Sequence, residues 1–216
     1  MNHYSKFKNS SIGSSLLLQV RQHDPSAWSR VVQVYGPVVY RWCRNAGIPD
    51  HAAADVGQEV FRAVATGIGK FRREKSSDTF VGWMRQITRF KIADYQRAAM
   101  SEPVAAGGSA FLGVLGSLED PVAGQVAGDA EAAAAEMNPL DEERRILVAR
   151  MLEVMEGSFQ PNTWKAFWAT AVENRKAKDV ALDLNMTAMA VRKAKSRVLR
   201  RLRDEFGGLV SPELSN

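Results

Sequence analysis

The amino-acid sequence predicts an all-α protein built from two small helical bodies and a connector. Three observations lead there. Apolar residues recur at i, i+3 and i+4 spacing through most of the chain, no run alternates apolar and polar over the length of a strand, and one central Ala/Gly-rich stretch separates the periodic regions. With 216 residues and a hydrophobic fraction of 45%, each body has enough apolar side chain for a core of its own.

The helices follow in order. Asp24 before Pro25 reads as an N-cap and first helical residue, and Trp28, Val31, Val32 and Tyr35 then share a face. Gly36 and Pro37 are expected to interrupt this helix, with Val38, Val39, Trp42 and Cys43 resuming the stripe until Gly47 caps it. Asp50 opens the next helix, whose Val56, Val60, Phe61 and Val64 face inward and which closes at Gly67 and Gly69. A basic loop from Lys70 to Lys75 leads to Thr79, where a helix carrying Phe80, Trp83, Met84 and Ile87 on its packed side begins.

Charge is distributed unevenly along the chain. The net charge is +5, yet between Ala98 and Glu143 there are nine acidic residues and no Lys or Arg. That segment, rich in Ala, Gly and Ser, reads as a flexible acidic linker over 98–139, with Phe111, Leu112, Val114 and Leu115 as a possible short docking helix inside it. Beyond it Ile146, Leu147, Met151, Leu152 and Met155 begin a second body over 140–206, and Pro161 starts a helix with Trp164, Phe167, Trp168 and Ala171 on one side. The first body spans 14–97.

At the end of the second body lies helix-turn-helix grammar: a short helix from Lys178 to Leu184, a tight connection at Asn185 and Met186, and Thr187 capping a longer helix. In that helix Val191, Ala194, Val198 and Leu202 fall in a narrow arc, leaving Met189, Lys193, Ser196 and Arg200 opposite, with Arg192 and Arg197 at the flanks. Seven basic residues and no acidic one lie between Thr187 and Arg203. The major groove of DNA admits one α-helix, where Arg and Lys donate to guanine O6 and N7 or to phosphates. Ala188, Met189, Arg192, Lys193 and Ser196 are therefore expected near base edges and Arg197 and Arg200 near phosphates, with the capping Thr187 also counted among the DNA-binding residues. A solvated basic face would have the same composition, but the short helix, turn and cap in front of it favour DNA reading.

Other classes find little support. His3, His23 and His51 are scattered, no nucleophile and base can be paired, and no phosphate-binding glycine loop appears, so no enzyme activity, metal or cofactor is expected. The single Cys43 excludes an internal disulfide, and the apolar run Leu16 to Leu18 is too short for a signal peptide or membrane span, so a cytoplasmic protein without membrane insertion is expected.

The segment from Val180 to Arg203 resembles the C-terminal helix-turn-helix of the bacterial sigma-70 family, which in alternative sigma factors recognises the promoter minus 35 element. A more specific likeness lies upstream. Asp50 to Phe61, with Asp55, Gln58 and Glu59, is similar to the family's Asp-x-x-Asp-x-x-Gln-Glu-x-Phe signature on the helix that grips the clamp coiled coil of RNA polymerase. Phe80 to Arg97 is similar to the segment that melts and reads the minus 10 element. The resemblance implies a core-polymerase contact at Asp55, Gln58 and Glu59, and minus 10 DNA contacts at Arg85, Arg89, Lys91 and Arg97. It also implies that Phe80 or Trp83 could stack on bases, although Trp83 sits on the apolar stripe.

Two domains and a linker resemble the compact extracytoplasmic-function type, and the Tyr35 to Trp42 and Thr163 to Trp168 patterns are similar to those of planctomycete members. Partners implied are core RNA polymerase through its clamp coiled coil and flap, promoter DNA, and an anti-sigma factor. Gly57 departs from the family, which commonly has a larger residue there, and a glycine inside a helix costs about 1 kcal/mol relative to Ala. A transcriptional regulator that binds DNA without serving as a polymerase subunit would account for the helix-turn-helix but not for the Asp55, Gln58 and Glu59 signature.

Overall fold

A computed structural model describes residues 12–74, 78–100 and 139–207, and every regular element among them is a helix. The elements are α1 (Ser14–Arg21), α2 (Pro25–Asn45), α3 (Asp50–Gly67), α4 (Phe80–Met100), α5 (Pro139–Glu156), α6 (Pro161–Ala171), α7 (Ala177–Asp183) and α8 (Ala188–Phe206). The predicted all-α class is the observed one.

Local chemistry explains most of the boundaries. The Asp24 carboxylate accepts the Ala27 N–H at 2.7 Å with Pro25 in the first turn, so the predicted start of α2 stands. Gly47, at φ +82°, adopts the left-handed conformation that follows a helix end. Thr79 caps α4 by accepting the Gly82 N–H at 3.0 Å.

Two local readings are corrected. Helix α2 continues through Gly36 and Pro37 instead of breaking there. Proline costs one intrahelical hydrogen bond, but Val31, Val34 and Tyr35 before it and Val38, Val39 and Cys43 after it are all buried, so packing on both sides offsets the loss. The first helix is also not the one at Asp24: α1 precedes it, burying Leu16, Leu17 and Val20. At eight residues α1 is too short to be stable alone and is held by tertiary packing.

The ends of the segment read as linker are helical, since α4 runs to Met100 and α5 starts at Pro139. The rest of it, including Phe111, Leu112, Val114 and Leu115, lies outside the described residues.

The main apolar cluster is shared by both halves of the chain. Val31, Val34, Val38, Phe80 and Met84 from the first half belong to the same cluster as Leu147, Met151, Trp164, Phe167 and Leu202 from the second. Helix α2 packs on α5, and α1 packs on both α2 and α8. Two smaller clusters flank it: one between α2, α3 and α4 around Cys43, Ile48, Val56 and Ile92, and one under the helix-turn-helix around Ala166, Val180, Val191 and Ala194.

Candidate nucleic-acid interface

The C-terminal motif is built as its sequence demands. Asn185 takes φ +51°, turning the chain sharply between α7 and α8, and the Met186 N–H donates to the Ala181 carbonyl at 2.8 Å to fix the turn. The Thr187 hydroxyl accepts the Ala190 N–H at 3.1 Å and starts α8. Val191, Ala194, Val198 and Leu202 are buried, together with Leu199, so the inward face widens by one residue beyond the predicted arc.

The opposite face is open. Thr187, Met189, Arg192, Lys193, Ser196, Arg197 and Arg200 are all exposed, Met189 to 62%. Ala188 differs: it is half-buried against the cluster under the motif, which turns it from a base-reading position towards support of the helix. This face can deliver Arg and Lys donors and one apolar side chain to a groove with no acidic group among them.

In the first half, Asp55, Gln58 and Glu59 are exposed on α3 because Val56 and Val60 point inward between them. They line one side of an open groove whose other wall is α4, with Lys91, Asp94 and Tyr95. Glu59 pairs with Arg62 one turn along. The groove therefore carries mixed charge with an acidic side, a surface that complements a basic partner helix.

The four cations assigned to single-stranded DNA do not share one face. Arg85 and Arg89 are one turn apart and lie together, whereas Lys91 lines the α3–α4 groove and stands 4.0 Å from Asp94. Arg97 also pairs with Asp94. Arg89 is exposed and makes no ion pair among the described residues. Arg85 is held by Glu143 of α5, and its guanidinium carbon lies 5.0 Å from the centre of the Trp42 ring.

Phe80 and Trp83 are not base platforms in this arrangement. Phe80 is fully buried and Trp83 is 5% exposed. With Tyr35 and Phe71 they form one aromatic cluster, with ring centroids 5.0 to 5.8 Å apart. The apolar stripe noted for Trp83 extends to Phe80. In the loop before α4, Phe71 is buried, and Arg73 is tied to the Ile12 carbonyl.

Sequence reasoning missed Glu142, Glu143 and Glu205. Glu142 makes a two-pronged contact with Arg41, whose guanidinium holds the Glu142 carboxyl below its usual range. Glu143 accepts the Trp42 indole N–H at 2.8 Å while it holds Arg85. Glu205 is buried in the last turn of α8. The first two stood in the acidic run, but nothing local ties them to partners 58 and 101 residues away.

No helix among the described residues is long and apolar enough to cross a membrane. Residues 31–102, from the middle of α2 past the end of α4, match the family model for sigma-70 region 2. A search of curated proteins finds no match to the chain.

Proposed function

We propose, from the match of residues 31–102 to the model for sigma-70 region 2, which supports membership of the RNA polymerase sigma-70 family, that this protein is an alternative sigma factor of the extracytoplasmic-function type. It binds core RNA polymerase and directs initiation at a dedicated promoter. The observation that carries the reading is a coexistence. A region 2 match with an exposed Asp55, Gln58 and Glu59 surface stands in one chain with a C-terminal helix that follows a short helix and a tight turn and that carries seven basic residues and no acid from Thr187 to Arg203.

Each surface has a role. Asp55, Gln58 and Glu59 meet the basic clamp coiled coil, where opposite charge speeds encounter and fixes register. Arg85, Arg89 and Arg97 follow the phosphates of the separated strand at the minus 10 element, with Lys91 on the groove side. Helix α8 enters the major groove at the minus 35 element, with Met189, Arg192, Lys193 and Ser196 near base edges and Arg197 and Arg200 on phosphates. The factor carries out no chemistry of its own and works in the cytoplasm, and an anti-sigma factor would control its release. The flap of the polymerase is expected to receive the second body.

The test is retention of the purified chain on immobilised core RNA polymerase. The parent chain should be retained, and an Asp55→Lys/Glu59→Lys variant should be lost from the resin while it keeps its helical circular dichroism and its binding to duplex DNA. Binding to duplex DNA without retention of the parent chain would replace this reading with that of a DNA-binding regulator acting apart from the polymerase.

A further inference from the structure

We propose that Met189, in the first turn of α8, is a specificity-determining residue that reads the C5-methyl group of a pyrimidine in the major groove of duplex DNA. The inference rests on the function proposed above and deepens it, by naming the base chemistry that one side chain selects. That methyl has two sources, thymine and 5-methylcytosine, and both carry it at the same place on the base.

The observation is a methionine set apart from the core. Met151 and Met155 are fully buried, and Met186 packs against the small cluster under α7 and α8. Met189 belongs to neither and is 62% exposed. The helical period explains its position: Val191, Ala194 and Val198 carry the inward face, and Met189 falls on an outward stripe with Lys193 and Ser196. Arg192 lies beside that stripe, and both it and Lys193 are exposed and make no ion pair among the described residues. A lone exposed apolar side chain is ordinary on a protein surface. Here, however, it stands in the one stripe that is otherwise polar and basic and is assigned to DNA.

Groove chemistry decides what such a side chain can read. Base edges in the major groove offer hydrogen-bond donors, acceptors and one apolar group, the thymine C5-methyl. A thioether donates no hydrogen bond and accepts only weakly, so Met189 gains little from purine N7 and O6 or from the cytosine amino group. Against a methyl it removes apolar surface from water on both sides, and its unbranched, polarizable chain adapts to the contact. Its place on the helix suits the task. The Thr187 hydroxyl fixes the first turn by accepting the Ala190 N–H at 3.1 Å, and that turn holds no acidic residue to repel phosphates. Residues at the N-terminus of a groove-bound helix are those that reach base edges.

The helix also sets where the methyl should lie. Met189 and Lys193 are one turn apart, about 6 Å along the axis. Base pairs follow one another at about 3.4 Å. A methyl read by Met189 therefore lies within about two base pairs of the base that Lys193 contacts.

The experiment uses the full chain and its Met189→Ala, Met189→Gln and Leu182→Ala variants. Met189→Gln keeps the side-chain length without the apolar end, and Leu182→Ala removes an 82% exposed apolar side chain from α7 as a control. A preferred duplex is selected with the parent chain from a randomised library. Each thymine is then replaced by deoxyuridine, which removes the methyl alone, and each cytosine by 5-methylcytosine, which adds it. Fluorescence anisotropy gives the affinity for every duplex, with circular dichroism to follow folding.

One thymine, within about two base pairs of the position whose preference Lys193→Ala relaxes, should matter. Its replacement should weaken binding by the parent and by Leu182→Ala roughly three- to fivefold, the effect of one buried methyl, while both Met189 variants bind the two duplexes equally. If the selected base is cytosine, its methylation should tighten binding by the same factor in the parent and not in the Met189 variants. A parent that selects no sequence, a parent indifferent to every single methyl, or a methyl effect that persists in Met189→Ala would overturn the proposal. Retention on core RNA polymerase separates it from the sigma-factor reading: a chain that is not retained but shows the Met189-dependent methyl effect refutes that reading alone, and a retained chain without the effect refutes only the role of Met189.

Discussion

Replacing Phe80 by Leu separates two roles that one aromatic residue could have. Phe80 is fully buried at the first turn of α4, with its ring 5.2 Å from Tyr35 and 5.8 Å from both Phe71 and Trp83. A Phe to Leu change keeps much of the apolar surface but leaves part of the ring's volume empty. Such a large-to-small core change costs the lost transfer free energy plus a cavity term, together about 1 to 1.5 kcal/mol when most of the apolar side chain is kept. Each edge-on or tilted ring contact adds about 0.5 to 1.5 kcal/mol beyond burial, and the three are not additive. The net loss should be about 2 kcal/mol. In a protein of this size that lowers the thermal midpoint by about 4 to 8 °C. Urea unfolding should show a lower midpoint with an unchanged slope. Under conditions where both proteins are folded, single-stranded DNA binding should stay within twofold of the parent, because the ring faces the core. Unchanged stability with a large loss of DNA binding would refute the core assignment and return Phe80 to the role of base platform.

Three other outcomes follow from the same structure. Arg192→Ala or Lys193→Ala should weaken promoter duplex binding by about 1 to 3 kcal/mol and relax preference at one base pair, whereas Arg200→Ala should weaken all sequences alike and lower the salt slope by about 0.9; competition binding over a salt series distinguishes them. Gly57→Ala should raise stability by about 0.4 to 1 kcal/mol in chemical unfolding, since a Cβ there meets only Val39 at 4.0 Å and the helical backbone suits alanine. Asp24 titrates below its ordinary range because Ser26 and the Ala27 N–H bond its carboxylate, so its contribution is present above the unfolded-state pKa and is lost as pH falls through the lower folded value. Asp24→Asn keeps the cap without the charge, and its stability deficit at pH 7 should shrink on acidification below about pH 4; a deficit that does not change with pH would contradict this.

What the sequence made legible was local. The Asp24–Pro25 start, the Gly47 stop and the Thr187 cap are decided by residues within one turn of each other, and each is found as expected. The exposed face of α8 follows directly from its helical period. Pro37 misled because its cost is local and visible, while the packing that offsets it comes from elements distant in sequence. Helix α1 was hidden for the same reason, since eight residues carry too little periodicity and its partners lie on α2 and α8. The acids that meet Arg41, Trp42 and Arg85 looked like part of a solvated run, and only the fold brings them across to α2 and α4. Lys91 shows the converse: grouped by sequence with Arg85 and Arg89, it is turned by the helical period to the other side of α4.

The claim that this chain confers promoter specificity on RNA polymerase is tested most directly by transcription in vitro. Core RNA polymerase is supplied with the purified chain and a library of genomic DNA fragments, and transcript 5′ ends are mapped. New starts that share one pair of upstream elements, absent with core enzyme alone and lost with Lys193→Ala or Asp55→Lys/Glu59→Lys, are the predicted result. An active core enzyme whose starts are unchanged by the addition of a chain that still binds duplex DNA would contradict it.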